Sequence, residues 1–221
     1  MAESPTGRSG SPTRRGAYAK GVAKREEILT RALEVIAREG FRGASVKELA
    51  DAVGLSQAGL LHYFDSKEEL FTEILRKRDE LDLAALGLGP ALSSADVNDL
   101  RNAYLTIIRH NAEVPGLVQL FARLSVDATD PAHPAHRFFI ERGEMLRGTI
   151  ADAIGRRQAE RGDAAGAADP ETVARIFQAV ADGLQLQWML EPDLDMAATV
   201  GALFDMFDPP ARTDTEPGDA R

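Results

Sequence analysis

Between Ser45 and Leu70 apolar side chains return every three to four residues in bursts of about two helical turns. Val46, Leu49, Ala50 and Val53 stand at i, i+3, i+4 and i+7 and form one stripe of a short helix. Ser45 and Glu48 form a capping box at its start, and Gly54 follows the last periodic residue, where a left-handed backbone is cheapest. Leu55 plugs the turn and Ser56 caps a second helix, Gln57 to Phe64, whose inward edge is Leu60 and Phe64. Ala58, Gly59 and His62 lie on the opposite side, with Leu61 and Tyr63 on the flanks. Asp65 and Ser66 end this helix, and Ser66 with Glu69 opens a third.

The helical period continues along the rest of the chain. It predicts a first helix from about Lys20 to Glu39 ended by Gly40, and a fourth from Lys67 to about Leu86 closed by Gly87, Gly89 and Pro90. Leu70, Ile74 and Leu81 mark the inner face of that fourth helix, and Arg76 to Asp82 reads as a solvated stretch. Further helices are expected over Ser94–Glu113, Leu117–Val126, Ala135–Arg161, Pro170–Leu190 and Leu194–Phe207, with Pro115 and Gly116 as a break. Nine helices without a convincing strand predict an all-α fold. Its expected divisions are a disordered basic arm (1–19), a helix-turn-helix domain (20–66), a helical ligand-binding and dimerisation domain (67–208) and a disordered tail (209–221).

Two short capped helices joined by a glycine turn are the layout of a helix-turn-helix, whose second helix enters the major groove of DNA. The outward face at Ala58 and Gly59 is thin, which lets the helix come close to the groove floor. Gln57 or His62 then reaches base edges, and glutamine pairs bidentately with adenine. Lys24 and Arg25, near the start of the first helix, are candidates for the DNA backbone, as are Arg14, Arg15 and Lys20 of the arm. The competing reading of the same pattern is a helical hairpin in an all-α core that never touches DNA.

A formal net charge of −9 argues against nucleic acid until its distribution is considered. Residues 1–67 carry eleven Lys and Arg against eight Asp and Glu, whereas residues 68–221 carry fifteen against twenty-seven. Residues 1–25 hold six positive charges with only Glu3 against them. Counterion release needs only such a local patch. The absence of cysteine excludes disulfides, thiolate metal sites and cysteine nucleophiles. No apolar run approaches the ~18 residues of a membrane span and no secretory signal is legible, so a cytoplasmic protein is expected.

Residues Ala32 to Leu70 resemble the DNA-binding domain of the TetR family of bacterial one-component regulators. The likeness rests on Gly40–Phe41, Ala44–Ser45, the run VKELADAVGLS, and the ending formed by Leu60, Phe64, Lys67 and Leu70. It is specific over about 50 residues and architectural beyond them. It implies a three-helix DNA reader, a helical ligand and dimer domain, and repression of a palindromic operator by a homodimer that a small molecule releases. The expected DNA-contacting residues are Lys24, Arg25, Ser45, Ser56, Gln57, Ala58, Gly59, Leu61, His62, Tyr63 and Lys67. Many members have Tyr where Leu61 stands and His where Tyr63 stands. Leu61 cannot bond a phosphate, so that work shifts to Tyr63, His62 and Lys67. The rival functions are an architectural DNA-binding protein without a ligand, and an all-α carrier or enzyme that does not bind DNA.

The last two helices are apolar on more than one side, more than one monomer core needs. Phe177, Val180, Ala181, Leu184, Trp188, Val200, Leu203, Phe204 and Phe207 are therefore expected at a dimer interface, which the resemblance makes a four-helix bundle. The resemblance also implies an effector pocket among the middle helices. Tyr104, Phe121, Phe138, Phe139, Met145, Trp188 and Met189 are candidates for its lining, with His110, Asn111, Arg123, Arg142 and Gln185 as polar anchors, and such a lining suits a hydrophobic or aromatic ligand. Asp127, Asp130, His133 and His136 recur every third residue, but Pro131 and Pro134 break the helix that would align them, so turn caps are expected there rather than a metal site. No catalytic motif, cofactor or metal is expected.

Overall fold

Side-chain caps and glycines punctuate the chain as the local chemistry requires. The computed structural model describes residues 14–87, 95–162 and 168–207, with side chains from Tyr18 onward. All regular elements among them are α-helices: α1 (Arg14–Gly43), α2 (Val46–Ala52), α3 (Gln57–Leu61), α4 (Lys67–Ala85), α5 (Val97–Glu113), α6 (Pro115–Asp127), α7 (His136–Arg161), α8 (Pro170–Leu190) and α9 (Met196–Phe207). No helix among the described residues is long and apolar enough to cross a membrane.

Several boundaries differ from those the sequence predicts. α1 begins at Arg14, so residues 14–19 of the expected arm are helical. Extending a helix already nucleated downstream costs little, and Gly16 and Gly21 lower propensity by about 1 kcal/mol each without stopping it. At the other end the helix resumes beyond Gly40 after a kink, where Gly40 takes φ 73° and ψ 168°. α3 ends at Leu61 rather than Phe64: the amides of Tyr63 and Phe64 bond three residues back, to Leu60 and Leu61 carbonyls, which tightens the chain and swings Phe64 into the core. Pro115 opens α6 instead of breaking the chain, since the first helical position needs no amide donor. α5 is capped by Asp96, whose side chain accepts from the Asp99 amide, and α9 starts at Met196. Ser94, Gly89, Pro90, most of the 162–169 loop, residues 1–13 and the tail lie outside the described residues.

Two apolar cores result. The first joins α1 to α4 with one side of α6 and the start of α7: Ile28, Ile36, Leu49, Leu60, Leu70, Ile74, Leu120 and Phe138 meet in it. The second joins α5, α7, α8 and α9 around Ile150, Val173, Phe177, Val200 and Phe204. α6 belongs to both, giving Leu117, Leu120, Phe121 and Leu124 to the first and Val118 to the second. Its first turn lies directly on α1. A Cβ on Gly116 would stand 2.4 Å from the Ile36 carbonyl oxygen and 2.8 Å from the Gly40 Cα, so only glycine permits this approach. α4 departs from its expected inner face: Leu81 is exposed, whereas Arg78, in the stretch read as solvated, is 6% exposed.

Candidate nucleic-acid interface and effector cavity

The recognition element is held by caps at each junction. Ser45 Oγ accepts the Glu48 amide while Glu48 Oε2 accepts the Ser45 amide at 2.8 Å, a closed capping box. Gly54, at φ 68°, turns the chain so that the Leu55 amide returns to the Ala50 carbonyl at 2.9 Å. Ser56 Oγ accepts the Gly59 amide at 3.0 Å and Ser66 Oγ the Glu69 amide at 2.9 Å. Leu60 is fully buried and Phe64 nearly so, which fixes the rotation of α3 about its own axis. Ser56, Gln57, Ala58, His62 and Lys67 are consequently exposed, with Gly59, Leu61 and Tyr63 half-buried on the flanks. The outward face is thin at Ala58. Gly59 does not open onto that face, because a Cβ there would point at Ser56 Oγ, 3.1 Å away.

The two cations of α1 are placed differently from each other and from expectation. Lys24 is half-buried, pairs with Glu27 at 2.8 Å and reaches the Val53 carbonyl at 3.4 Å. Arg25 turns inward: it donates to the Tyr63 carbonyl and to Glu69 at 2.9 Å, approaches Glu73 at 3.3 Å and lies 4.4 Å over the Phe64 ring. Burial works against its charge, but Glu69 and Glu73 outweigh that and hold its pKa above the ordinary value. Its guanidinium braces α1 against the end of α3 and the start of α4, with about a third of the side chain left exposed.

The expected ligand residues do not converge on one site. Tyr104, Arg142 and Met145 line a cavity of about 70 Å3 between α4, α5 and α7, together with Asp79, Asp82, Leu83, Leu100, Ala103, Ile107, Leu146 and Thr149. Arg142 Nε donates to Asp79 Oδ2 at 2.7 Å, and its guanidinium lies 4.9 Å over the Phe121 ring. Burial, with the Asp182 charge nearby, pushes the Tyr104 phenol up, so it stays neutral. Asp182 is also pushed up by burial, only partly offset by Arg142. His110 belongs to a neighbouring pocket of about 340 Å3 on the other side of Asp82. Asn111 is buried and accepts from Arg78. Arg123 and Met189 border an open groove of about 1020 Å3 between the end of α1, α6 and α8.

The other aromatic candidates are core. Phe121, Phe138 and Phe139 stack edge-on in the first core at centroid distances of 5.1 to 5.2 Å, and Trp188 and Gln185 are buried. Their period on the helices is real, but periodicity alone does not distinguish a packed ring from one facing a void. Sequence reasoning missed Asp79 and Asp82, which sit in a charge-rich run that reads as surface.

The helices expected to pair with a second copy bury most of the residues named for that role. Phe177, Ala181, Leu184, Trp188, Val200 and Phe204 face the chain's own second core, and Val180, Leu203 and Phe207 are half-buried. The exposed apolar positions of the pair are instead Ile176, Leu186 and Leu190 on α8 and Met206 on α9. Asp130 and His133 accept the Ala132 and Ala135 amides within the α6–α7 turn, and His136 Nδ1 lies 2.8 Å from the Ala128 carbonyl.

A capped helix-turn-helix on an all-α scaffold, with its second helix presented outward, defines the class. Residues 28–74 match the family model of the bacterial regulatory proteins of the tetR family. The repressor KstR2 of Rhodococcus jostii is 29% identical over 112 residues, 51% of this chain and 46% of that protein. The chain thus spans less than half of that relative. The regulator TcmR of Streptomyces glaucescens is 25% identical over 179 residues, 79% of this chain and 76% of its own length. A TetR transcription regulator from Haloarcula marismortui superposes with a TM-score of 0.65 at 20% identity, covering 84% of this chain and 96% of that one. Residues 28–74 thus match the DNA-binding domain of the TetR family, and the chain as a whole shares the fold of a solved TetR regulator.

Proposed function

We propose that the protein is a DNA-binding transcriptional regulator of the cytoplasm, acting as a homodimeric repressor that a small molecule releases from a palindromic operator. One observation carries the reading: α3 is fixed by buried Leu60 and Phe64 so that Gln57, Ala58 and His62 face outward from a capped helix-turn-helix. A five-residue helix with a thin face reaches a groove floor that a bulkier one would not, and Gln57 is the group suited to an adenine edge. Lys67, exposed at the first position of α4, is suited to a phosphate beside it. Ile176, Leu186, Leu190 and Met206 supply the apolar face for a second copy, which would set two recognition helices about 34–36 Å apart, or a multiple of that, along one duplex. The likeness to KstR2, a transcriptional repressor, supports the sign of regulation. No catalytic role is assigned.

Selection of bound fragments from random duplex DNA by the full-length protein tests this. A palindromic consensus is expected. Gln57→Ala should then change the preferred sequence, while Lys67→Ala should weaken binding to all sequences and lower the salt slope by about 1. Equal affinity for every duplex, or no binding at low salt, overturns the reading.

A further inference from the structure

We infer that the effector is a small organic ammonium ion held by Asp82, with carbon on both sides of its nitrogen. The inference rests on the reading of the chain as an effector-released regulator and names the ligand class of its cavity. Asp82, on α4, is a wall of two spaces at once. The inner one, about 70 Å3, is otherwise lined mainly by Leu83, Leu100, Ala103 and Leu146, and the outer one, about 340 Å3, by Ala85, Leu86, Thr106, Arg109, His110 and Glu113; Ile107 borders both.

The charges around Asp82 are poorly matched. Asp79 is satisfied by Arg142 at 2.7 Å. Among the described residues the basic groups nearest Asp82 are Arg78 Nε at 3.5 Å and His110 Nε2 at 3.8 Å. Charge-assisted hydrogen bonds run at about 2.7–2.9 Å. Arg78 instead gives an NH2 group to Asn111, and its Nε is buried without a hydrogen-bond partner. Burial accordingly raises the Asp82 carboxyl, against the pull of Arg78 and His110.

A largely buried carboxylate whose nearest basic groups stand 3.5 Å or more away, set between an apolar inner space and an outer one where Glu113 adds a second negative charge beside Arg109, favours a positively charged N–H group over an anionic one. An anion would meet Asp79 and Asp82 with Arg142 already engaged. The inner space is worth about two waters at ~30 Å3 each, so it admits a short alkyl arm while the bulk of the ligand stays in the outer pocket. Because Asp82 and Arg78 share α4 with the turn that leads from α3, a ligand drawing on Asp82 acts on the helix that carries the reader.

The test measures binding of three near-isosteric compounds to full-length protein at neutral pH: N-ethylbenzylamine, benzyl ethyl ether and 3-phenylpropionate. The amine is expected to bind at least tenfold more tightly than the ether or the carboxylate, and Asp82→Asn to bring the amine down to the level of the ether. Equal binding of all three, binding of none, a preference for the carboxylate, or an amine affinity unchanged in Asp82→Asn overturns the inference. Should Asp82→Asn fail to fold, the ranking on the native protein decides. Adding the amine to the protein on its selected duplex separates the two readings. Tight amine binding with unchanged DNA affinity keeps the ligand class and sinks the effector-released regulator. Release of DNA by the ether or the carboxylate, and not by the amine, does the reverse.

Discussion

Of the described glycines, Gly116 leaves the least room for a side chain. Gly116 lets the first turn of α6 rest on the backbone of α1 at its Gly40 kink, where the obstacles to a side chain are main-chain atoms that cannot rotate away. Gly116→Ala should destabilise the protein by roughly 1–3 kcal/mol, the range for overpacking, and lower Tm by several degrees in a melting experiment. It should also alter DNA affinity, because α1 is the helix against which α2 and α4 are packed. Asp182 illustrates the opposite case, a charge that burial opposes. Its folded-state pKa lies above the unfolded value of 3.8, so the native state holds the proton more tightly and this group's contribution to stability declines as pH rises from about 4 through the raised value. Asp182→Asn should therefore be more stable than the native protein at pH 7, with the gain vanishing below pH 4. A denaturation series across that range checks it, and a constant difference would count against the assignment.

At the level of elements, the reader is a set of short helices that hold their shape through caps more than through length. α2 has seven residues and α3 five, far below what an isolated helix needs. Ser45→Ala removes the side-chain acceptor of the Glu48 amide and should cost about 1 kcal/mol, read as a lower urea midpoint at unchanged m. Arg25 is the second device at this scale. It bonds to residues 38 and 44 positions away, joining α1 to the end of α3 and the start of α4. That separation is why it reads in the sequence as a phosphate contact: a basic residue near a helix start carries no mark of a distant partner.

For the whole molecule, the two cores meet through α6, and the last two helices leave Ile176, Leu186, Leu190 and Met206 exposed. Leu190 is 83% exposed and Met206 76%, values that a monomer gains nothing from and a four-helix interface would cover. Leu186→Glu places a charge in that face without touching the chain's own core. If the proposed homodimer forms through this face, the change should shift the protein toward monomer in sedimentation and reduce operator affinity steeply, since one recognition helix then binds without its twin. A monodisperse monomer in the native protein would remove the basis for this prediction.

What the residues determined by themselves is local. The helix-turn-helix, its three serine caps and the αL turn at Gly54 follow from contacts within four residues and from backbone sterics, so they are legible from Ser45 to Leu70 without any fold. The tertiary structure decided everything that depends on a distant neighbour. It turned Arg25 inward, buried Arg78 in a stretch that reads as solvated, packed Phe138 and Phe139 as core, and chose Ile176, Leu186 and Leu190 rather than Phe177, Leu184 and Trp188 as the exposed edge of α8. A helix that is apolar on several sides does not specify which side meets its own core, because that depends on how the neighbouring helices cross it.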